Sequence, residues 1–197
     1  MKQFFILSIF LLCGIFVRAQ DVYLDSLNAF RNRYIEQHEV VTGNDRQLLQ
    51  FFPLQKTYCV PARFEKVEEA PWFNMPTSGT VKKAFRVYGI LYFTIRDTPC
   101  RLYVYQSQNL LSNPAYGNYL FIPFTDPGNG EESYEAGRYI DLTTEEIEKP
   151  GFQLDFNKAY NPYCAYISNK YNCPIPPAEN ALPVAIRAGE MKFKQPH

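Results

Sequence analysis

The hydrophobic pattern changes period twice along this chain. An unbroken apolar run comes first, with only Ser8, Cys13 and Gly14 interrupting Phe4 to Val17. Helical spacing follows. Leu27, Phe30, Tyr34, His38 and Val41 recur at steps of three and four, with Arg31, Arg33 and Glu36 between them. Apolar positions one helical turn apart form one stripe, so this spacing predicts an amphipathic helix from Asp21 to Glu39. Gly43 ends it, Asn44 caps a second short helix through Phe51, and Pro53 closes that one. From Thr57 onward the period is two. Tyr58, Val60, Ala62 and Phe64 alternate with polar or small neighbours, the mark of a half-buried strand.

Further strands are expected along the rest of the chain, with an irregular, proline-rich stretch from Asn157 to Pro183. Pro71 to Gly79 is rich in breakers and reads as a loop. Thr80–Tyr88 and Ile90–Ile95 read as two strands, or as one long strand bent at Gly89. Asp97-Thr98-Pro99 is a turn, and Arg101–Gln106 returns as the second arm of a hairpin. Tyr119–Phe124, Arg138–Leu142, Gln153–Phe156 and Val184–Phe193 complete the strands. A helical turn is expected between Thr143 and Lys149. The fold class that follows is mainly β: an antiparallel barrel or sandwich of about eight strands preceded by one or two N-terminal helices. The 15 tyrosines, 16 phenylalanines and 15 prolines agree with a β protein carrying ordered loops.

The first apolar run, at about 14 residues, falls short of the roughly 20 that span a bilayer as a helix. With Lys2 before it and Val17-Arg18-Ala19 after it, residues 1–19 read as a signal peptide cleaved near Ala19. Cys13 is followed by more apolar chain, which argues against a lipid-modified cysteine. Residues 20–197 are then expected to form one β-rich domain, periplasmic or secreted, with no transmembrane segment. Without Lys2 and Arg18 the basic residues number 18 against 20 acidic ones. That balance offers no electrostatic footprint for nucleic acid.

Export changes the meaning of the cysteines, because disulfides persist in oxidising compartments. Cys59, Cys100, Cys164 and Cys173 allow three pairings. Cys164 and Cys173 enclose only the eight residues Ala165 to Asn172, and this pair is expected to close. Cys59 with Cys100 stays open. The chain has only His38 and His197 and no C-x-x-C, so no metal site is expected. No phosphate loop or dinucleotide fingerprint is present, so no cofactor is expected either.

Candidate chemistry concentrates in the second half. Asp126-Pro127-Gly128-Asn129-Gly130 begins like a calcium loop, but glycines stand at the third and fifth positions, where oxygen ligands are needed. An Asx-type turn is the plainer reading. Arg138, between Tyr134 and Tyr139, could clamp a carboxylate or phosphate of a ligand. It could equally pair with Asp155 or Glu179 and hold an irregular segment to the sheet, the reading favoured here. Asp155 and Asn157 alternate at a strand end, and Tyr160 and Asn161 add hydrogen-bonding groups close by. Asn157, Asn161 and Asn180 could instead satisfy the backbone of the proline-rich stretch. Nucleophilic catalysis finds poor material, with no G-x-S-x-G and no histidine near these runs.

Four strings in this half are specific: T-D-x-x-x-G at Thr125, Y-x-x-G-R-Y at Tyr134, D-F-N-x-A-Y-N-P-x-C at Asp155 and C-P-x-P-P-x-E-N at Cys173. They resemble the domain of unknown function family numbered 1684, most strongly from Phe121 to Glu190 and more loosely from Trp72 to Ile95. The resemblance implies an uncharacterised exported protein and no established activity. Cys59 and Cys100 lie outside those motifs. The expectation is a non-catalytic module of the cell envelope that binds an unknown small ligand, glycan or protein. Its ligand-binding candidates are Arg138, Asp155, Asn157, Tyr160, Asn161, Glu179 and Asp126. Exposed tyrosines and Trp72 offer a platform for a sugar ring or a protein partner. The alternative is a hydrolase using acidic residues between positions 126 and 190.

Overall fold

The computed structural model describes residues 22–194, so the expected signal peptide lies outside the described residues. The chain forms two compact units that divide after Gln37. The first contains helix α1, residues 22–36, where the periodicity predicts a helix, though it stops three residues earlier than expected. His38 therefore lies beyond the helix. Its Nδ1 accepts the backbone N–H of Val41 at 2.9 Å, and its ring meets Tyr166 edge-on at 4.7 Å. A single 3-10 segment, Gly43–Leu48, stands where the second short helix was expected.

The second unit is built on seven antiparallel strands: β1 (Cys59–Lys66), β2 (Phe73–Met75), β3 (Lys83–Ile95), β4 (Thr98–Ser107), β5 (Tyr119–Phe124), β6 (Arg138–Thr143) and β7 (Gln153–Asp155). Their order is β6-β5-β4-β3-β1-β7, with β2 added against β3. The sheet curls into a half-barrel whose two edges are β6 and β7.

β3 is the one long bent strand of the two alternatives. Its register against β4 shifts between Val87 and Gly89, which inserts one extra residue. A one-residue insertion turns every later side chain to the opposite face. Phe85 and Val87 thus join one cluster, while Leu91, Phe93 and Ile95, also at odd positions, join the other. The hairpin that follows turns one residue earlier than expected. Arg96 and Asp97 both have positive φ, at 48° and 63°, and Ile95 pairs with Thr98. Two left-handed residues match the twist of the flanking strands.

Two expectations are corrected. Pro71–Gly79 is not all loop, because β2 lies within it and pairs Phe73 with Phe85. Three residues are too few to show a period. Val184–Phe193 forms no ladder strand and makes only isolated contacts, such as the bridge from Phe51 to Glu190. The expected helical turn is present as α3 (Thr144–Ile147), after the four-residue α2 (Gln108–Leu111). Thr143 and Glu146 form a reciprocal capping box at the start of α3.

The two faces of the sheet carry different cores. One holds the main aliphatic cluster, with Leu91, Leu102, Leu120, Ile122 and Leu154 fully buried. Each such side chain contributes about 2 kcal/mol through burial. The other holds a smaller aromatic cluster of Met75, Phe85, Tyr105, Phe121 and Tyr139. The irregular stretch after Tyr160 lies against this second cluster. Tyr139 and Tyr160 exchange backbone hydrogen bonds of 2.9 and 3.0 Å, and the Tyr139 hydroxyl donates to the Pro174 carbonyl. Cys164 and Cys173 are joined by a disulfide, and Cys173 exchanges hydrogen bonds with Ser78. Cys59 and Cys100 are not bonded to one another.

Candidate functional site

Arg138 opens β6 and points into the main core, where it is fully buried. Its partner is Asp126, not Asp155 or Glu179: Nη2 lies 2.9 Å from Asp126 Oδ2. The hairpin explains the pairing. Phe124 stands opposite Arg138, so the residue two beyond the end of β5 lies against the guanidinium. Nη2 also donates to the Ile186 carbonyl at 2.7 Å, and Nη1 donates to the carbonyls of Ala188 and, at 3.2 Å, Glu190. These are alternate residues of the last extended stretch. The guanidinium takes the carbonyls to which the N–H groups of a neighbouring strand would otherwise donate, and the stretch forms no ladder. Four of the five N–H groups are thereby bonded. The aromatic rings beside the cation are Phe52 and Phe124, rather than Tyr134 and Tyr139. Burial draws Arg138 below its ordinary pKa, and the Asp126 charge pulls it back up.

Asp126 is itself engaged through both carboxylate oxygens. Oδ1 accepts the N–H of Gly128 at 2.8 Å, an Asx turn, and the N–H of Ile186 at 3.2 Å. Two glycines make the cluster possible. Gly137 has φ +93°, and a Cβ there would lie 2.5 Å from the Phe124 carbonyl. Gly189 has φ +76°, and a Cβ would lie 2.4 Å from the Ala159 carbonyl. Either position admits a side chain only with strain. Glu190 closes this region: its carboxylate accepts the N–H of Asn161 at 2.9 Å and the Tyr166 hydroxyl at 2.6 Å.

The three motif asparagines act on backbone. Asn180 accepts the Tyr103 N–H at 2.7 Å and donates to the carbonyls of Tyr103 and Pro123 at 2.9 and 2.7 Å. Pro123 has no N–H to offer β4. The amide of Asn180 replaces that missing link between β4 and β5. Asn157 does the same for Gln55, accepting its N–H at 3.1 Å and donating to its carbonyl at 2.9 Å. Asn161 donates to the Met191 carbonyl at 2.8 Å.

The remaining sequence candidates differ in burial: Asp155 is buried, Tyr160 half-buried and Glu179 exposed. Asp155 ends β7, and its Oδ1 accepts the Asn157 N–H at 3.0 Å. Tyr160 is half-buried and donates to Asp141 at 2.8 Å. The seven candidates therefore do not converge on one cleft.

What does open to solvent is the gap between the two sheet edges. A cleft of about 290 Å³ is lined by residues of β6 and of the segment leading into β7. Ile140, Leu142 and Phe152 give it apolar walls. Lys149 and Lys158 place positive charge at it, and Glu146 and Asp155 negative charge. Glu146 Oε2 accepts the Thr143 N–H at 2.9 Å. Of the cleft's charged residues, only Asp155 stood among the candidates read from sequence. Lys158 was visible as the variable position of the D-F-N-x-A-Y-N-P string. Among the described residues, no group of three or more His, Cys, Asp or Glu is placed to hold a metal ion. No helix among them is long and apolar enough to cross a membrane.

Residues 46–191 match the family described as "Protein of unknown function (DUF1684)". The chain belongs to this family. The structure of an uncharacterized protein from Haloarcula marismortui, determined by solution NMR, is similar to it. The two share 28% sequence identity and superimpose with a TM-score of 0.66, over 88% of this chain and 96% of the archaeal one. No curated protein matches the chain. Membership of DUF1684 thus places the latch around Arg138 and most of the half-barrel within the family's extent, but carries no activity with it.

Proposed function

We propose that this DUF1684 protein is a non-catalytic binding module of the cell envelope that takes a small ligand in the cleft between β6 and β7. The cleft itself carries the reading: it is a concave gap with apolar walls and charges of both signs at its mouth. Ligand sites combine such walls with a few polar groups that fix orientation, and about 300 Å³ is their lower range. The Cys164–Cys173 disulfide supports an oxidising compartment, periplasmic or extracellular. Subcellular fractionation with non-reducing peptide mapping tests that part, and a cytoplasmic protein with both thiols free would end it.

A hydrolase is the competing reading, because Glu146 and Asp155 both line the cleft. Both carboxylates, however, are held as acceptors of backbone N–H groups. That job positions the chain at α3 and β7 and favours binding over proton transfer. The test is a screen of glycans, peptides and metabolites by NMR on the labelled protein. A true ligand shifts the amides of Gly151 and Gln153, and Lys149→Ala and Lys158→Ala each weaken it about tenfold, roughly 1.4 kcal/mol. Ligands that leave those amides unmoved would count against the cleft. Turnover that disappears in Glu146→Gln and Asp155→Asn would replace the binding module with the hydrolase.

A further inference from the structure

A second polar cluster lies on the opposite face of β6 from the cleft. Ile140 and Leu142 point into the cleft, so Asp141 between them points the other way. Asp141 is exposed, yet protein surrounds its carboxyl closely enough for burial to push its pKa up. Two tyrosines hold it. Tyr119 donates to Oδ1 at 2.7 Å, and Tyr160 donates to Oδ1 at 2.8 Å and lies 2.9 Å from Oδ2. No lysine or arginine among the described residues forms an ion pair with it.

The donor and acceptor arithmetic decides what this cluster can take. A carboxylate has about four lone-pair positions and no donor of its own. Two phenolic hydroxyls direct their hydrogens at it and occupy part of that capacity, mostly at Oδ1. A phenol that has given its hydrogen away presents lone pairs to anything else. The Asp141–Tyr119 pair therefore offers solvent acceptors only, with one negative charge and no bonded counter-cation. Tyr160 fixes the carboxylate's orientation through its contacts with both oxygens. An anion is repelled here. A neutral hydroxyl satisfies one acceptor without answering the charge. A primary ammonium brings three N–H donors and the opposite charge.

We propose that Asp141, oriented by Tyr119 and Tyr160, is a recognition site for a primary ammonium group, such as that of an alkylamine or a lysine side chain. This site is separate from the cleft and stands or falls independently of it. The preorganisation is the useful part: the carboxylate does not have to lose rotational freedom when the cation arrives.

The experiment is a titration of the isotope-labelled protein with n-butylammonium chloride, followed by amide NMR. n-Butanol and sodium chloride at equal concentration and ionic strength are the controls. Expected are saturable shifts at Asp141, Leu142 and Tyr119, half-complete in the millimolar range, with Gly151 and Gln153 unmoved. Asp141→Asn weakens the binding at least tenfold, since it keeps an acceptor for the tyrosines and loses the charge. Tyr119→Phe weakens it about threefold and serves as the second variant if the first does not fold. Equal shifts with sodium chloride or n-butanol would overturn the proposal, as would undiminished binding in both variants. Shifts confined to Gly151 and Gln153 would also overturn it, while leaving the cleft reading intact.

Discussion

Arg138 and Asp141 stand three residues apart on β6, and the strand turns them to opposite faces of the sheet. Arg138 enters the main core, where four of its N–H groups find Asp126 and three backbone carbonyls. Asp141 stays exposed and keeps acceptor capacity beyond what two tyrosines use. The chemistry is equally polar in both places, and the outcome differs through partners. A buried charge is tolerated when most of its hydrogen-bonding positions are answered, four of five for Arg138, and it then fixes whatever answers it. Here it fixes the extended stretch from Ile186 to Glu190 without a sheet ladder. An exposed charge with unspent positions fixes little and remains able to meet something else. Motif residues gathered in one string are thus of two kinds, those that hold the chain and those that face solvent.

The sharpest way to break this comparison is at Arg138. Arg138→Met leaves Asp126 buried beside no guanidinium and removes the Arg138 donor from three carbonyls. Stripping one member from a buried pair costs about 3–5 kcal/mol. Urea titration should show that loss, or no cooperative transition at all. Arg138→Lys keeps the charge but loses the fork that reaches several acceptors at once, so it falls between wild type and Met. A Met variant as stable as wild type would remove the structural role assigned to this residue.

Next in size is the disulfide. Replacing Cys164 and Cys173 by serine frees a short loop, at a cost of about 2–3 kcal/mol in the chain-entropy account. Thermal unfolding with and without reductant measures it: wild type in reductant should match the double variant. Asn180→Ala comes close behind. It leaves the N–H and carbonyl of Tyr103 and the carbonyl of Pro123 unanswered. Unsatisfied buried groups cost about 1–3 kcal/mol. A shift of at least 4 °C in Tm is expected, whereas an exposed motif residue such as Glu179→Ala should leave Tm within about 1 °C.

These residues also show what the sequence makes legible. β5 lies at Tyr119–Phe124, an apolar run buried on both faces, and β3 bends beside Gly89. Side-chain period follows directly from extended backbone, so strands of six or more residues declare themselves. The same logic misleads at Val184–Phe193. A strand reading there overlooks that pairing depends on what takes the carbonyls, and Arg138 takes those of Ile186, Ala188 and Glu190. The identity of Arg138's partner was legible only through register. Once Tyr119–Phe124 and Arg138–Leu142 are taken as hairpin arms, Asp126 is the acid nearest the arginine, whereas Asp155 and Glu179 stand out only as members of conspicuous strings. Pro123 carried another signal: a proline inside a strand demands a substitute donor, and Asn180 provides the amide that links β4 to β5 there. β2 and the Asp141 cluster gave less warning. Three residues cannot show a period, and one aspartate in an alternating strand looks like any solvent-facing position.

Asp141→Asn has the smallest expected effect, and its sign separates it from Arg138. Burial raises the Asp141 carboxyl above its ordinary value, and the two tyrosine hydroxyls only partly offset this. A carboxyl with a raised folded-state pKa adds stability in its protonated form. That contribution is fully present below the unfolded pKa and is lost as pH rises through the folded one. At neutral pH the ionised group therefore carries a desolvation cost that Asn does not, while Asn still accepts from Tyr119 and Tyr160. Solvent access keeps the difference under about 1 kcal/mol. Thermal unfolding from pH 3 to pH 7 should show the variant slightly more stable at pH 7, with the gain shrinking as pH falls through the carboxyl range and gone below about pH 4. A loss of stability at pH 7 would instead place Asp141 with Arg138, among the groups that hold the chain. A gain that fades with acid, joined to lost ammonium binding, marks a residue whose charge costs the fold and serves the surface.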